Sequence, residues 1–271
     1  MVSVAALFGR TDASRRPVLD AVRRTERSLA AFVPYSAQIA PDAVMTYAGD
    51  VLRTWRLEGI PAEMTDEGEL DHRGRALNAL WCSIADGSVA LYQHTVRRRV
   101  PVGAPVGVFD TAFAREHDAA YRQTLDARGA MTTEHYVTLL HRPPPGHRIV
   151  RMALRDAQIA RASALAALDR LSASIDAGLM PYGAHRLPNY TEDGVEYTES
   201  VRFLDALASG RWLPRMRVAK SPLDQVIGAS RILAGAPTPE DLELRGTYGA
   251  RHARVLDFKD HALSAEPGGG P

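Results

Sequence analysis

Apolar residues recur along this chain with two different periods, and the places where one gives way to the other mark its elements. From Ala43, "VMTYAGDVLRTWRL" alternates residue by residue and predicts two strands joined at Gly49-Asp50. Glycine at the first loop position suits a type II′ hairpin. In "TDEGELDHRGRALNALWCSIADG" the period lengthens to that of a helix. Leu70, Gly74, Leu77, Trp81 and Ile84 fall on one stripe, acidic residues crowd the start, and Gly87 follows the end. "SVALYQHTVRRRV" returns to strand alternation. Asp110 then reads as the cap of a helix with Phe113, His117, Tyr121 and Leu125 on one stripe and Gly129 just past its end. "TTEHYVTLLHR" is a further strand, stopped by Pro143-Pro144-Pro145-Gly146.

Val150 to Ala177 carries Leu165, Leu168, Leu171 and Ile175 on one face, with Gly178 read as its end. At ~1.5 Å per residue it is ~40 Å long, the largest single element. "MPYGAHRL" predicts a short strand, Tyr197 to Ala208 a helix closed by Gly210, and "DLELRGTYGARHARVLDF" a second hairpin around Gly249. Ahead of all these, Arg16 to Ala31 has only a thin apolar stripe, so residues 1–31 read as an Arg-rich arm or helix. Strands and helices interleave, with hairpins near both ends. The fold class expected is α+β, with mixed, largely antiparallel sheets, packed helices and one long helix. No internal repeat is present, and the only low-complexity tract is the terminal "PGGGP".

Charge narrows the function. With 33 Lys+Arg against 32 Asp+Glu in 271 residues, the formal charge is +1, which argues against nucleic acid as a main partner. A single cysteine, Cys82, forbids an internal disulfide and a Cys-based zinc cluster; beside Trp81 it reads as a small buried hydrophobe. The longest uncharged stretch, Ser28 to Pro41, is short of the ~20 apolar residues of a membrane span and holds Pro34. The chain reads as soluble and cytoplasmic, without a secretory signal.

The chemistry of nucleotides finds no footing. The one Lys-Ser pair, Lys220-Ser221, has no glycine between Gly210 and Gly228 before or after it, so it is no P-loop, and no G-x-G-x-x-G occurs. His135 and His141, six apart on one predicted strand, stand ~20 Å apart and cannot share an ion. "GASRI" at Gly228 is not a nucleophile elbow. No catalytic, cofactor-binding or metal-binding residue is therefore assigned, and no cofactor is expected in this chain.

Arg97, Arg98 and Arg99 invite a phosphate clamp, but successive strand residues point to opposite faces. Arg98 goes with Tyr92, His94 and Val96; Arg97 and Arg99 go with Leu91. The triplet reads as edge charge, solvated or paired with carboxylates, with contact to a partner protein or an anionic lipid surface as the functional use. The aromatic platform of a single-strand-binding groove is not visible.

The order of the segments resembles the N-terminal region of the CagE/TrbE/VirB family, the large ATPases of type IV secretion and conjugative transfer. The resemblance is carried by "FVPYSAQIAPDAVMTYAGDVLRTWRLEGIPAE", "DEGELDHRGRALNALWCSIADGSVALYQHTVRRR", "HYVTLLHRP", "LMPYGAHRL", "FLDALASG" and "LELRGTYGARHARVLDFKD". The entry Phe32-Val33-Pro34-Tyr35-Ser36 and the strand ending His94-x-x-Arg97-Arg98 are its more specific parts. On this resemblance residues 32–260 form the family's N-terminal domain, and 261–271 form a Gly/Pro-rich tail leading toward an ATPase domain that would bind ATP and Mg²⁺. The resemblance implies a non-catalytic docking and assembly role at the cytoplasmic face of the inner membrane. Its partners would be inner-membrane secretion components and neighbouring subunits of a hexamer, with peripheral membrane contact compatible. Candidate partner-binding residues are Tyr35, Arg97, Arg98, Arg99, Arg215, Arg217 and Lys220. Two alternatives stay open: a nucleic-acid-contacting module of a conjugation machine, using the arm and Arg211–Lys220, and an independent small-molecule enzyme.

Overall fold

The computed structural model describes residues 27–61, 65–100, 108–143, 154–219, 222–235, 238, 241–246, 249–254 and 256. Strand β1 (Arg27–Ser28) leads into a 3-10 turn, Leu29–Phe32, followed by β2 (Tyr35–Ala40), β3 (Ala43–Thr46) and β4 (Val51–Leu57). Helix α1 (Glu67–Ile84), β5 (Val89–Arg99), α2 (Ala112–Arg128) and β6 (Met131–His141) come next. The long helix α3 (Leu154–Leu179) is continued by a 3-10 turn at Met180–Tyr182 and then β7 (Ala184–Arg186). The remainder is β8 (Asn189–Glu192), β9 (Val195–Thr198), α4 (Glu199–Ser209), α5 (Leu223–Ile227), β10 (Arg231–Ala234), β11 (Leu242–Gly246) and β12 (Gly249–Ala253). All described strand pairs are antiparallel, so the α+β expectation holds. Residues 1–26 of the arm, the tail 261–271 and Lys220 lie outside the described residues.

Contacts divide the chain into two compact units. The larger one, Pro34–Val201 with Arg215–Val218, is built on a six-stranded sheet of order β2-β3-β4-β6-β5, with β7 also on β4. Alternation decides its faces: Val51 and Trp55 on β4 and Val137 and Leu139 on β6 meet Leu168, Ile175 and Leu179 of α3, all at most 3% exposed. Each such side chain contributes ~1.5–3 kcal/mol on burial. α1 adds Ile84, with Leu77, Leu80 and Trp81 half-buried. The two helices approach at Gly178, where a Cβ would stand 2.6 Å from Leu80 Cδ2. That contact, not a cap, explains the glycine: α3 runs through it and the chain turns at Gly183, φ +60°. Cys82, expected inside, is exposed, because α1 buries a narrower stripe than its apolar residues span.

A polar network runs from this core to its edge. Arg53, 3% exposed in the middle of β4, donates to Asp42 Oδ1 (2.9 Å) and Ser172 Oγ (2.7 Å) and pairs with Asp169 (2.9 Å). Arg186 bridges Asp42 (3.1 Å) and Asp176, whose Oδ1 also accepts from Trp55 Nε1 at 2.7 Å. Burial works to raise the Asp176 carboxyl, but hydrogen bonds from Arg186 and Trp55 and the charges of Arg186 and Arg53 hold it below the usual carboxylate range.

Several turns differ from expectation. The β3–β4 hairpin has three loop residues, with Gly49 at φ +86° as the left-handed residue after a tight turn; Thr46 N donates to Asp50 O at 2.8 Å. It is the longer hairpin class rather than type II′. Helix α2 is capped by Thr111, whose Oγ1 accepts from Ala114 N (3.2 Å), not by Asp110. Tyr197–Thr198, expected to be helical, closes the β8–β9 hairpin, and α4 starts at Glu199. From Arg27 to Ala31 the expected helix is instead β1 and the 3-10 turn, because Leu29 N pairs with Ser230 O (2.9 Å).

The smaller unit comprises the described residues within Met1–Val33, Arg202–Pro214 and Ala219–Pro271. Its sheet runs β1-β10-β11-β12. Leu29, Phe203, Leu204, Leu223, Ile227 and Leu233 are buried, and Arg202 lies 5.6 Å over the Trp212 ring. Asp205 is buried too, and desolvation pushes its carboxyl up to about 6, the Arg211 charge opposing.

Three outcomes are expected. Arg53→Ala empties a buried position and removes the hydrogen bonds to Asp42 and Ser172, and costs about 2–4 kcal/mol in urea unfolding followed by tryptophan fluorescence. Arg186→Ala, on the more exposed side, costs about 1–2 kcal/mol. Asp205 has a folded value above its unfolded one, so its protonated form is favoured by folding and stability falls as pH rises from about 4 to 6. Asp205→Asn therefore stabilises by about 1–3 kcal/mol at pH 7 and is nearly neutral at pH 4; equal effects at both pH values would contradict this.

Candidate interaction surface

β5 and β6 are longer than their neighbours. β4 pairs with β6 only from Val51↔His141 to Leu57↔His135, whereas β5 follows β6 on to Arg99↔Met131. Val96–Arg99 and Met131–Glu134 thus project past β4 as a two-stranded arm, and α2 joins their ends. The arginine triplet sits on this arm and is split as the alternation requires. Arg98 makes a two-pronged contact with Glu134, Nε to Oε2 at 2.9 Å and Nη2 to Oε1 at 3.3 Å, and Arg56 adds a second cationic group at 3.5 Å. Glu134 is 8% exposed. Its burial opposes ionisation, but the Arg98 hydrogen bonds and charge, then Arg56 and Tyr136, keep it below its ordinary range. Arg98 is therefore held in the sheet. Arg97 and Arg99 are exposed on the other face.

Behind Arg98 on the same face, His94 Nε2 lies 3.2 Å from Thr138 Oγ1, which lies 2.9 Å from Thr54 Oγ1. Desolvation lowers the His94 pKa, which favours its neutral ring. Tyr92 stacks on it at 6.4 Å. Tyr35, on β2, is half-buried; burial, then the neighbouring Tyr92, push its hydroxyl up. Tyr35 thus lines the sheet more than it faces solvent.

Arg215 and Arg217 belong to a separate place, the strand-like segment beside β9, where Thr198 N donates to Met216 O at 2.9 Å and Val218 N to Glu196 O at 3.1 Å. Arg215 pairs with Glu192 (2.9 Å) and lies 5.8 Å over the Tyr197 ring. Arg217 is exposed. The structure therefore brings Arg97, Arg98 and Arg99 together on one arm and Arg215 and Arg217 on another segment, and does not merge the two groups into one sheet.

Helix α2 is the outlier among the helices. It is well formed locally, with the Thr111 cap, an Asp118–Arg122 pair at 2.6 Å and Gly129 at φ +72°, yet none of its residues is buried. Phe113 is 77% exposed and Tyr121 58%, so the stripe read as core faces solvent. Among the described residues no group of three or more His, Cys, Asp or Glu could hold a metal ion, and no helix is long and apolar enough to cross a membrane. Sequence reading missed the Arg53–Asp42–Arg186–Asp176 network and Glu134. The available signal was a lone charge on a core-facing strand position, Arg53 between Val51 and Trp55.

Comparison with known proteins identifies the family. Residues 42–148, which include β3, β4, α1 and the whole β5–α2–β6 arm, match the model described as type IV secretion system ATPase VirB4/TrbE, N-terminal domain. The chain is 36% identical over 259 residues to the type IV secretion system protein PtlC homolog of Bordetella bronchiseptica, covering 92% of this chain and 31% of that protein. It is 35% identical over 260 residues to the type IV secretion system protein virB4 of Brucella suis, covering 90% and 30%, and 27% identical over 256 residues to virB4 of Rhizobium radiobacter. It thus spans about a third of the length of these curated relatives. With that match lying on the central sheet and its arm, the chain belongs to the VirB4/TrbE family of type IV secretion ATPases, as its N-terminal domain.

Proposed function

We propose that this chain is a docking and assembly domain, joining the ATPase to inner-membrane secretion components and to neighbouring subunits at the cytoplasmic face of the inner membrane. In the whole protein, ATP and Mg²⁺ would be handled elsewhere, and their turnover would energise apparatus assembly and transfer of protein or DNA. The observation behind this reading is α2. A 17-residue helix with no buried residue gains little from its own hydrogen bonds, since most helical stability in proteins comes from packing an amphipathic face. Its exposed Phe113 and Tyr121 lie inside the family-matched segment and form the kind of apolar stripe that a partner covers. The nucleic-acid alternative loses part of its basic surface, because Arg215 is taken up by Glu192.

Light scattering coupled to size exclusion tests the proposal on the chain mixed with the cytoplasmic segments of the cognate inner-membrane components. A defined complex is expected. Phe113→Ser with Tyr121→Ser should weaken it by tenfold or more while shifting stability by no more than about 0.5 kcal/mol, as exposed substitutions do. Absence of any complex, or Mg²⁺-dependent ATP turnover by the purified chain, would overturn it.

A further inference from the structure

The pairing of β5 with β6 sorts its backbone groups into two sets. Val100 N donates to Ala130 O at 3.0 Å and Arg142 N to Ser88 O at 2.7 Å. Hydrogen-bonded pairs alternate along an antiparallel ladder. The even residues from Ala90 to Arg98 therefore bond inward to β6. The odd residues Leu91, Gln93, Thr95, Arg97 and Arg99 turn their N–H and C=O groups outward. β5 is the last strand in the order of its sheet, and no described residue bonds to those outward groups. The side chains of the same five residues are all exposed. Thr95 Oγ1 reaches His135 Nδ1 at 3.3 Å, while Arg97 and Arg99 have no ion pair among the described residues.

A long exposed edge of this kind is a template for another strand, and proteins that must avoid pairing shorten it, kink it or cover it. Here the edge runs the full length of an 11-residue strand and keeps its register throughout. Among the described residues its one device against pairing is charge. Arg97 and Arg99 share one face and lie ~6.8 Å apart, two residues along a strand. Paired in parallel with a second copy, they would meet like charge; paired antiparallel, they would meet no anion. A strand with carboxylates two residues apart would answer both. Resting on the docking reading above, we infer that the outer edge of β5 is a strand-accepting site for an extended acidic segment of a partner protein, added antiparallel to the sheet.

The pattern of that segment follows. Running antiparallel, it meets Arg99 first, then Arg97, Thr95, Gln93 and Leu91. It carries Asp or Glu at its first and third positions and an apolar residue at the end that faces Leu91, which is 37% exposed. Main-chain bonds supply affinity and the alternate side chains supply selectivity. Arg98 takes no part in recognition: its side chain lies on the opposite face and is engaged by Glu134.

The test uses the full chain and a fluorescent peptide of about nine residues, Glu at the first and third positions, Leu at the last, and Thr, Gln and Ser between. Saturable binding is expected by anisotropy, with amide exchange slowed at Leu91, Gln93, Thr95 and Arg97. Arg97→Glu with Arg99→Glu should weaken binding at least tenfold, and a peptide with Lys in place of Glu should recover it on that variant. A peptide N-methylated at its edge-facing amides should not bind. No binding, protection centred on α2 instead of β5, indifference to charge reversal, or a β5-dependent dimer of the chain by light scattering would each overturn the inference. The docking reading is scored separately. If inner-membrane segments bind the charge-reversed variant as well as the original chain and the acidic peptide binds neither, docking stands and the β5 site falls. If they bind neither chain while the acidic peptide binds as described, the β5 site stands and docking to those components falls.

Discussion

The larger unit is organised around one buried guanidinium. Arg53 sits in a central strand on the face that packs against α3, where a cation without partners would be expelled or would unfold the site. Asp42, from the turn between β2 and β3, and Asp169 and Ser172, from successive turns of α3, converge on it. The helix can satisfy Arg53 in one rotation and one axial position only. Sharing of Asp42 with Arg186, and of Asp176 between Arg186 and Trp55, extends the same constraint to β7. A one-residue slip of β4 would turn Arg53 to the other face of the sheet, so the network fixes register as well as packing.

Because α3 is fixed on β4 and β6, the cover it provides is finite. Leu168, Ile175 and Leu179 reach the middle strands, and α1 reaches Val89 at the start of β5. The far part of β5 and the overhanging part of β6 lie beyond both helices. The arm is held instead by its own ladder and by Glu134 between Arg98 and Arg56. This division separates a packed centre, where substitutions act on stability, from an arm whose exposed groups can change without disturbing it. Helix α2, capped at both ends but with none of its residues buried, belongs to the arm.

Much of this was legible in the chain. Strict alternation located β4, β5 and β6, and the stripe through Leu168 and Ile175 located α3, since burial and periodicity are two views of one constraint. Periodicity does not say whether a stripe is covered. Phe113 and Tyr121, eight apart, share a helix face as Leu168 and Ile175, seven apart, do, yet one pair is exposed and the other buried. Contacts such as Arg53 with Ser172 join residues 119 apart, and nothing in local pattern foretells them. The β8–β9 hairpin was in principle readable. Asp193 and Gly194 both adopt positive φ, at 51° and 73°, which is what an Asp-Gly pair between two strands signals.

The three arginines show how a pattern can be right about faces and still leave function undecided. Alternation alone assigns Arg98 to one side and Arg97 with Arg99 to the other. What each side does depends on what the fold brings there. On one side β6 supplies Glu134, buried enough that its charge must be answered, and Arg98 with Arg56 answers it. That makes Arg98 a structural residue of the arm. On the other side no carboxylate of the described residues arrives, and the same positions carry the unpaired backbone of an edge strand. Arg99 lies over Gly129 at the end of α2, but neither it nor Arg97, two cations at strand spacing beside an open ladder, has an ion pair among the described residues. Their placement is explained by what an incoming strand would need, a register mark and a sign of charge. A single arginine would supply the sign without the register.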